Sequence, residues 1–121
     1  PRVVLFERSN IRHFQGVGIE EAVDIATIDT SFISLRHVVP ATLRFVREGG
    51  TLLALVKPQF EAGRGEVGKK GVVRDPAVHA RVVEGLAAFF EEQGLSVRGT
   101  CESPITGPEG NREFFIYAIK E

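Results

Sequence analysis

Three charged side chains lie beside apolar runs of the sequence, where buried strands are expected to end. Asp29 and Lys57 each directly follow such a run, and Glu113 directly precedes the last run of the chain. A lysine at the carboxyl end of a buried parallel strand lies where open α/β sheets bind their ligands. Its amine can accept a proton if burial or a nearby cation keeps it neutral, and carboxylates can orient it. The alternative is that Lys57 only caps the edge of the sheet and reaches water.

The run before Lys57, residues 51–56, has the composition of a central strand. It is unbroken and apolar and comes directly after Gly49 and Gly50, and such a run suits a strand that is covered on both faces. Pro58 cannot donate a hydrogen bond to a neighbouring strand. The strand is therefore predicted to end at Lys57.

The remaining pattern predicts an α/β domain with the element order β, β, α, β, α, β, β. Alternation of strands and helices in the middle of the chain indicates a parallel sheet with crossover helices. The last two strands are joined by too short a connection for a crossover, so they are predicted to be antiparallel. The expected strands are residues 3–6, 23–28, 51–56, 95–100 and 114–119.

Two helices are predicted from the spacing of apolar residues. The first spans residues 35–47, with Ser34 as its N-cap, a kink at Pro40 and the following glycine pair as its end. The second begins after Asp75, where an N-cap acid is followed by proline at the first helical position. Gly94 is its expected C-terminal glycine.

The composition indicates one domain of ordinary size, with 121 residues of which 43% are hydrophobic. Its longest apolar runs are too short to span a membrane, and no signal-peptide pattern is present. The single cysteine, Cys101, favours a reducing compartment, and hence the cytoplasm. His13, His37 and His79 are scattered, so the spacing predicts no metal site.

The charge balance limits how the chain can contact nucleic acid. A net charge of −1 excludes a broadly basic surface, so any RNA contact must come from a local patch. Residues 61–74 have no apolar period but hold four glycines and the basic residues Arg64, Lys69 and Lys70. This stretch is predicted to be a flexible basic loop next to Lys57, and the alternative is a solvated linker.

Six short motifs occur in a fixed order along nearly the whole chain. They are ERSNIR at 7–12, DTSFISL at 29–35, LVKPQFE at 55–61, GKKGVVRD at 68–75, SPITG at 103–107 and GNREF at 110–114. Together, at this spacing, they resemble the TlyA family, also called hemolysin A or FtsJ-like ribosomal RNA methyltransferases.

The resemblance implies a Rossmann-like fold and the use of S-adenosyl-L-methionine to methylate a ribose 2′-hydroxyl of ribosomal RNA. It also implies a small RNA-binding domain ahead of the methyltransferase domain. FtsJ-like enzymes carry a Lys-Asp-Lys-Glu tetrad, and its last three members match Asp29, Lys57 and Glu113. The first lysine of the tetrad has no counterpart in this chain.

By this resemblance Lys57 is the base, and Asp29 and Glu113 position it. The 2′-hydroxyl is a poor nucleophile and must give up its proton as it attacks the sulfonium methyl group. Both carboxylates also favour the charged lysine, so a further cation must balance them, and the missing lysine is the natural candidate.

The resemblance also suggests residues that contact the two substrates. Ser9, Asn10 and Asp29 are candidates for cofactor binding, although Asn10 is equally typical of an Asx turn. The candidates for RNA contact are Phe60, Ser103, Asn111, Arg64, Lys69 and Lys70. Phe60 can instead be a core residue, and Ser103 and Asn111 can instead be turn residues.

The sequence departs from the family pattern at its amino-terminal side. The glycine-rich loop after the family's first strand and the acid after its second strand have no match, so the chain resembles the carboxy-terminal part of a methyltransferase domain, truncated at its N-terminus. The family's sheet order is 3-2-1-4-5-7-6, in which residues 2–7 correspond to strand three and residues 23–28 to strand four. The first strand would then lack a neighbour, and strand four would expose an apolar edge. We expect a displaced or disordered amino terminus, or a homodimer that pairs exposed sheet edges.

The leading interpretation is therefore part of an RNA methyltransferase that is inactive in isolation. The alternative is a non-catalytic oligomerising or RNA-interaction module that keeps the fold. A DNA or protein methyltransferase would usually carry a different motif at residues 29–32. A haemolysin ranks last, because the sequence has no membrane-inserting segment.

Overall fold

The computed structural model describes residues 2–121, and within them four strands and two α-helices form one α/β unit. In chain order the elements are β1 (Val23–Ile28), α1 (Leu35–Leu43), β2 (Val46–Val56), α2 (Pro76–Glu92), β3 (Leu95–Glu102) and β4 (Phe114–Lys120). Short 3-10 turns occupy residues 58–60, 64–66, 69–71 and 108–110.

The four strands form one sheet in the order β1-β2-β4-β3. β1 and β2 are parallel, whereas β4 is antiparallel to both of its neighbours. Insertion of the last strand between β2 and β3 corresponds to the 4-5-7-6 part of the family's sheet order. The α/β architecture, the sheet order and the antiparallel closing pair are therefore confirmed.

The hydrophobic core lies between the sheet and the two helices. Phe90 and Leu86 of α2 are 0% and 1% exposed, and they belong to one cluster with Leu52, Ala54 and Ile116 of the central strands. Burial of a large apolar side chain contributes about 1.5–3 kcal/mol. The core therefore holds β2 and β4 in place, and these are the strands that carry Lys57 and Glu113.

The first helix is shorter than predicted, because the glycine pair lies in a strand and does not end the helix. α1 ends at Leu43, and β2 begins at Val46. Pairing with β1 jumps from Val46 to Thr51, so the residues between them form a bulge, in which Gly49 has a φ of +77°. The Lys120 ammonium donates hydrogen bonds to the carbonyls of Leu43 and Val46 at 2.9 and 2.7 Å. This contact with the last strand satisfies carbonyl groups at and just after the end of α1.

The predicted first strand, residues 3–6, is wrong. Val3 and Leu5 are 79% and 73% exposed, and residues 2–22 lie outside the sheet. The segment is held instead by aromatic packing of Phe14 against Phe45, with ring centroids 5.7 Å apart, and by hydrogen bonds from the Arg44 guanidinium to backbone carbonyls of residues 11 and 14. A strand needs a neighbour for its backbone hydrogen bonds, and residues 3–6 have none in the described sheet.

The second helix forms as predicted. The Asp75 carboxylate accepts a hydrogen bond from the Ala77 amide at 2.9 Å, and Pro76 is the first helical residue. Gly94, with a φ of +87°, follows the end of α2. Helix α2 leads directly into β3.

Candidate active site

The sheet topology brings the three charged residues to one edge. β1 and β2 run in parallel, so Asp29 and Lys57 follow the carboxyl ends of adjacent strands. β4 runs in the opposite direction, and its first residue, Phe114, pairs with Val56. Glu113, which precedes Phe114, therefore lies at the same edge as Lys57.

Lys57 and Asp29 form an ion pair. The Lys57 Nζ lies 2.7 Å from Oδ1 of Asp29 and donates a hydrogen bond to the Ser31 hydroxyl at 3.0 Å. The Lys57 side chain is 13% exposed, whereas that of Asp29 is 72% exposed. The Lys57 side chain is thus largely enclosed and its amine is fixed in direction, whereas the carboxylate of Asp29 is open to solvent.

Glu113 is more deeply enclosed and has a different partner. It is 6% exposed, and its Oε2 accepts a hydrogen bond from Nε2 of Gln59 at 3.3 Å. Among residues 2–121, Oε1 of Gln59 is a buried acceptor without a hydrogen-bond donor. Sequence reasoning missed Gln59, although its place two residues after Lys57 on the same turn was a usable signal.

A cavity of about 630 Å³ lies between the residue 8–11 segment and the loop after β1. Ser31 lines this cavity and also accepts the hydrogen bond from Lys57, so one residue connects the cavity wall to the amine. A volume of this size falls within the range of small-molecule sites. The lining residues are Arg8, Ser9, Asn10, Ile11, Thr30, Ser31, Ile33 and Val38.

The two cofactor candidates of the amino-terminal segment line this cavity, and both also make local hydrogen bonds. Oδ1 of Asn10 accepts a hydrogen bond from the Arg12 amide at 2.9 Å. This contact forms the Asx turn that the sequence analysis gave as the alternative role of Asn10. The Ser9 hydroxyl donates to the Glu7 carbonyl at 3.2 Å. The turn presents Ser9 and Asn10 to the cavity.

An aromatic pair lies beside the site. Phe32 is 89% exposed and has a φ of +64°, a conformation that is strained for a bulky residue. Its ring packs against Phe60, with centroids 4.9 Å apart. Sequence reasoning named Phe60 but missed Phe32, because neither its backbone conformation nor its exposure has a signature in the spacing of residues.

Asn111 lies inside the fold and joins two loops. It is 2% exposed, and its Oδ1 accepts from the Val73 amide at 3.0 Å. Its Nδ2 donates to the carbonyls of Gly71 and Pro108 at 2.9 and 3.1 Å. The side chain therefore attaches the end of the basic loop to the turn that precedes Glu113.

Ser103 has a similar local role. Its hydroxyl accepts from the Ile105 amide at 3.2 Å, and its backbone amide donates to the Glu113 carbonyl at 2.7 Å. These contacts match the turn role that the sequence left open. They place Ser103 next to the backbone of Glu113.

The basic loop is more ordered than the expected flexible segment. Glu66 pairs with Arg81 of α2, and this hydrogen bond lowers the pKa of the Glu66 carboxyl. Near the other end of the loop, the His79 ring lies 2.7 Å from the Val73 carbonyl. Between these two anchors, Lys69 and Lys70 are exposed, as is Arg64 just before them.

Comparison with known proteins identifies the family. Residues 1–120 match the model described as FtsJ-like methyltransferase. The chain belongs to the FtsJ-like methyltransferase family. The resemblance drawn from the six motifs is thereby confirmed, and with it the Rossmann-like fold class.

The relatives are considerably longer than this chain. It is 47% identical to the "Putative rRNA methyltransferase YqxC" of Bacillus subtilis, covering 96% of the chain and 42% of that protein. It is 44% identical to the 16S/23S rRNA (cytidine-2'-O)-methyltransferase TlyA of Mycobacterium tuberculosis, covering 97% and 44%. The chain thus spans less than half the length of these curated relatives.

A solved structure shows the same fold. The chain superposes on a "putative hemolysin" from Lactococcus lactis with a TM-score of 0.92 and 39% identity, covering 99% of the chain and 58% of that structure. In residues 2–121 no helix is long and apolar enough to cross a membrane.

Proposed function

We propose that this chain is the carboxy-terminal portion of an S-adenosylmethionine-dependent domain that methylates a ribose 2′-hydroxyl of ribosomal RNA. The supporting observation is the position of Ser31, which both lines the cavity and holds the Lys57 amine. A cofactor in that cavity would lie beside the residue that holds Lys57, the proposed proton acceptor. Membership in the methyltransferase family and the name of the TlyA relative support the same reaction.

The cavity lining suits the adenosine part of the cofactor. Apolar walls from Ile11, Ile33 and Val38 can cover the faces of a purine, and Ser9 and Asn10 offer polar groups for its edges. When bound, S-adenosylmethionine supplies the methyl group on its sulfonium. The glycine-rich loop that holds the methionine end in the family has no match in this chain, so we expect weak binding by the chain alone.

Lys57 is the proton acceptor in this proposal. Its Nζ would take the proton of the ribose 2′-hydroxyl as that oxygen accepts the methyl group that the bound cofactor would supply. Asp29 and Ser31 hold the amine in place. Proton acceptance in this proposal also requires a second cation that competes with Lys57 for the carboxylates.

Gln59 and Glu113 indicate where that cation belongs. Glu113 is a buried carboxylate, and Oε1 of Gln59 is a buried acceptor without a donor among the described residues. Such groups are costly unless a donor reaches them. We propose that this cation, which would also be the missing donor, is the first lysine of the family tetrad, from a segment upstream of this chain.

The substrate side of the site is formed by the aromatic pair and the basic loop. Phe32 and Phe60 offer a surface on which the base of the target nucleotide can stack, worth about 1–3 kcal/mol per base. Arg64, Lys69 and Lys70 are exposed and can contact phosphates. We assign Ser103 and Asn111 to positioning the Glu113 turn, because their hydrogen bonds are made within the fold.

A second function, as an oligomerising module, is favoured by the exposed sheet surfaces. β1 is an edge strand with one neighbour, and Ile25 on it is 63% exposed. An exposed apolar edge can pair with a second copy, which would give the homodimer expected from the sequence.

The single exposed cysteine, Cys101, is in keeping with a reducing, cytoplasmic location.

Cofactor binding tests the proposed function directly. We define the extended protein as this chain joined to the upstream part of the methyltransferase domain, including the glycine-rich loop. By calorimetry we expect S-adenosylmethionine to bind the extended protein, and to bind this chain at least about tenfold more weakly, a difference of about 1.4 kcal/mol. Equal binding by both would contradict our account of cofactor recognition, and equal binding in a dimer would favour a pocket formed by two copies.

A further inference from the structure

Glu61 connects the loop that carries Lys57 to the loop that carries Asp29. Its Oε1 accepts a hydrogen bond from the Ser34 hydroxyl at 2.6 Å, and its Oε2 accepts one from the Leu35 amide at 2.8 Å. Both oxygens of the carboxylate are therefore used at the first turn of α1. The partners lie 27 and 26 residues away in the sequence.

The position suits a carboxylate. The first amides of a helix lack partners within the helix, and the helix dipole favours negative charge there. The Ser34 hydroxyl oxygen also accepts from the Arg36 amide at 3.1 Å, so its proton is free to go to Glu61. Ser34 and Glu61 together cap α1.

The loop after β1 is thus held at two points by the segment after β2. At one point Lys57 binds Asp29 and Ser31, and at the other Glu61 binds Ser34 and the helix start. The segment between Lys57 and Glu61 is a tight 3-10 turn, in which the Phe60 amide donates to the Lys57 carbonyl at 2.9 Å. A rigid turn with an attachment at each end fixes where the loop lies relative to the amine.

We propose that Glu61 is a positioning residue for methyl transfer, which acts by holding the residue 29–34 loop against Lys57. This inference rests on the proposed function and deepens it. Movement of the loop would shift both Asp29 and Ser31, and Ser31 also forms the cavity wall.

Glu61 is a partly buried carboxylate, and its pKa reflects two opposing effects. Burial raises the pKa of Glu61, and the hydrogen bonds from Ser34 and Leu35 only partly oppose it. Folding therefore favours the protonated carboxyl, and the ionised form costs stability as pH rises above the ordinary value of 4.5. At neutral pH burial of the ionised carboxylate costs stability, and the hydrogen bonds from Ser34 and Leu35 offset part of that cost.

The test uses the extended protein with S-adenosylmethionine and ribosomal RNA. Glu61→Ala should lower kcat about 10–100-fold without changing KM for RNA, because a small misplacement of reacting groups has effects of that size. Glu61→Gln should retain kcat within about threefold, since its amide still accepts from Leu35 and can donate to Ser34. Glu91→Gln is the matched control, because Glu91 accepts from the Val97 amide at 2.6 Å on the α2–β3 connection, away from the site.

Two further measurements keep the inference testable if Glu61→Ala folds poorly. Ser34→Ala should lower kcat in the same way, and its combination with Glu61→Ala should be less than additive, because the two residues share one hydrogen bond. Amide hydrogen exchange of residues 29–35 should accelerate in Glu61→Ala and Ser34→Ala but not in the Glu91 control.

The outcomes distinguish this inference from the proposed function. Unchanged exchange of residues 29–35, additive effects, or a Glu61→Gln protein as slow as Glu61→Ala would overturn the positioning role. Faster exchange of residues 29–35 in Glu61→Ala, in an extended protein that transfers no methyl group even without the substitution, would contradict the proposed function but support the loop attachment.

Discussion

Replacing Lys57 with alanine should abolish methyl transfer by the extended protein while leaving S-adenosylmethionine binding nearly unchanged. The Lys57 amine donates a hydrogen bond to Ser31 of the cavity wall, whereas the cavity lining itself does not include Lys57. A positioned general base contributes about 10²–10⁴-fold to a rate. The measurement is kcat with ribosomal RNA, together with calorimetry of cofactor binding.

Lys69→Ala is the matched control for Lys57→Ala. Lys69 is exposed on the basic loop and makes no ion pair within residues 2–121. Its replacement should weaken RNA binding modestly and reduce the salt dependence of binding, with kcat preserved. A Lys57→Ala protein that retains kcat would refute the assignment of Lys57 as the base.

Gly107→Ala should lower activity about tenfold or more while changing the free energy of unfolding by less than about 1 kcal/mol. A Cβ atom at Gly107 would overlap with Oε2 of Glu113, so the carboxylate must move. Because the contact is with the far end of a flexible side chain, the backbone need not shift. The substitution therefore displaces Glu113 from Gln59 and leaves the fold in place.

Gly99→Ala is the control for this substitution. A Cβ atom at Gly99 would meet no atom within 4 Å, so this variant should keep both its activity and its stability. The assays are kcat and urea denaturation for the two variants. Equal activity of Gly107→Ala and Gly99→Ala would show that the position of Glu113 does not matter for the reaction.

Sequence analysis predicted the elements whose signals are local. The apolar run ending at Lys57 and the N-cap at Asp75 each lie within a few residues of the element they define, and both elements form. The gathering of Asp29, Lys57 and Glu113 at one edge also followed, because it depends only on strand direction.

Features that depend on distant contacts could not be predicted. The Leu43 carbonyl at the end of α1 accepts a hydrogen bond from Lys120, and the Leu35 amide at its start donates one to Glu61. Neither partner lies near α1 in the sequence. Residues 3–6 have the composition of a strand but find no neighbour within the described chain. A role for Phe32 could be assigned only from its backbone conformation, and a role for Asn111 only from its burial.

Above all, we propose that this chain belongs to a domain that methylates a ribose 2′-hydroxyl of ribosomal RNA. The most direct test is to incubate the extended protein with S-adenosylmethionine carrying a labelled methyl group and with ribosomal RNA, then digest the RNA to nucleosides. Our account predicts label in a 2′-O-methylated nucleoside, and none when the target nucleotide lacks its 2′-hydroxyl. Label on a base, or no label from a folded protein that binds both substrates, would contradict it.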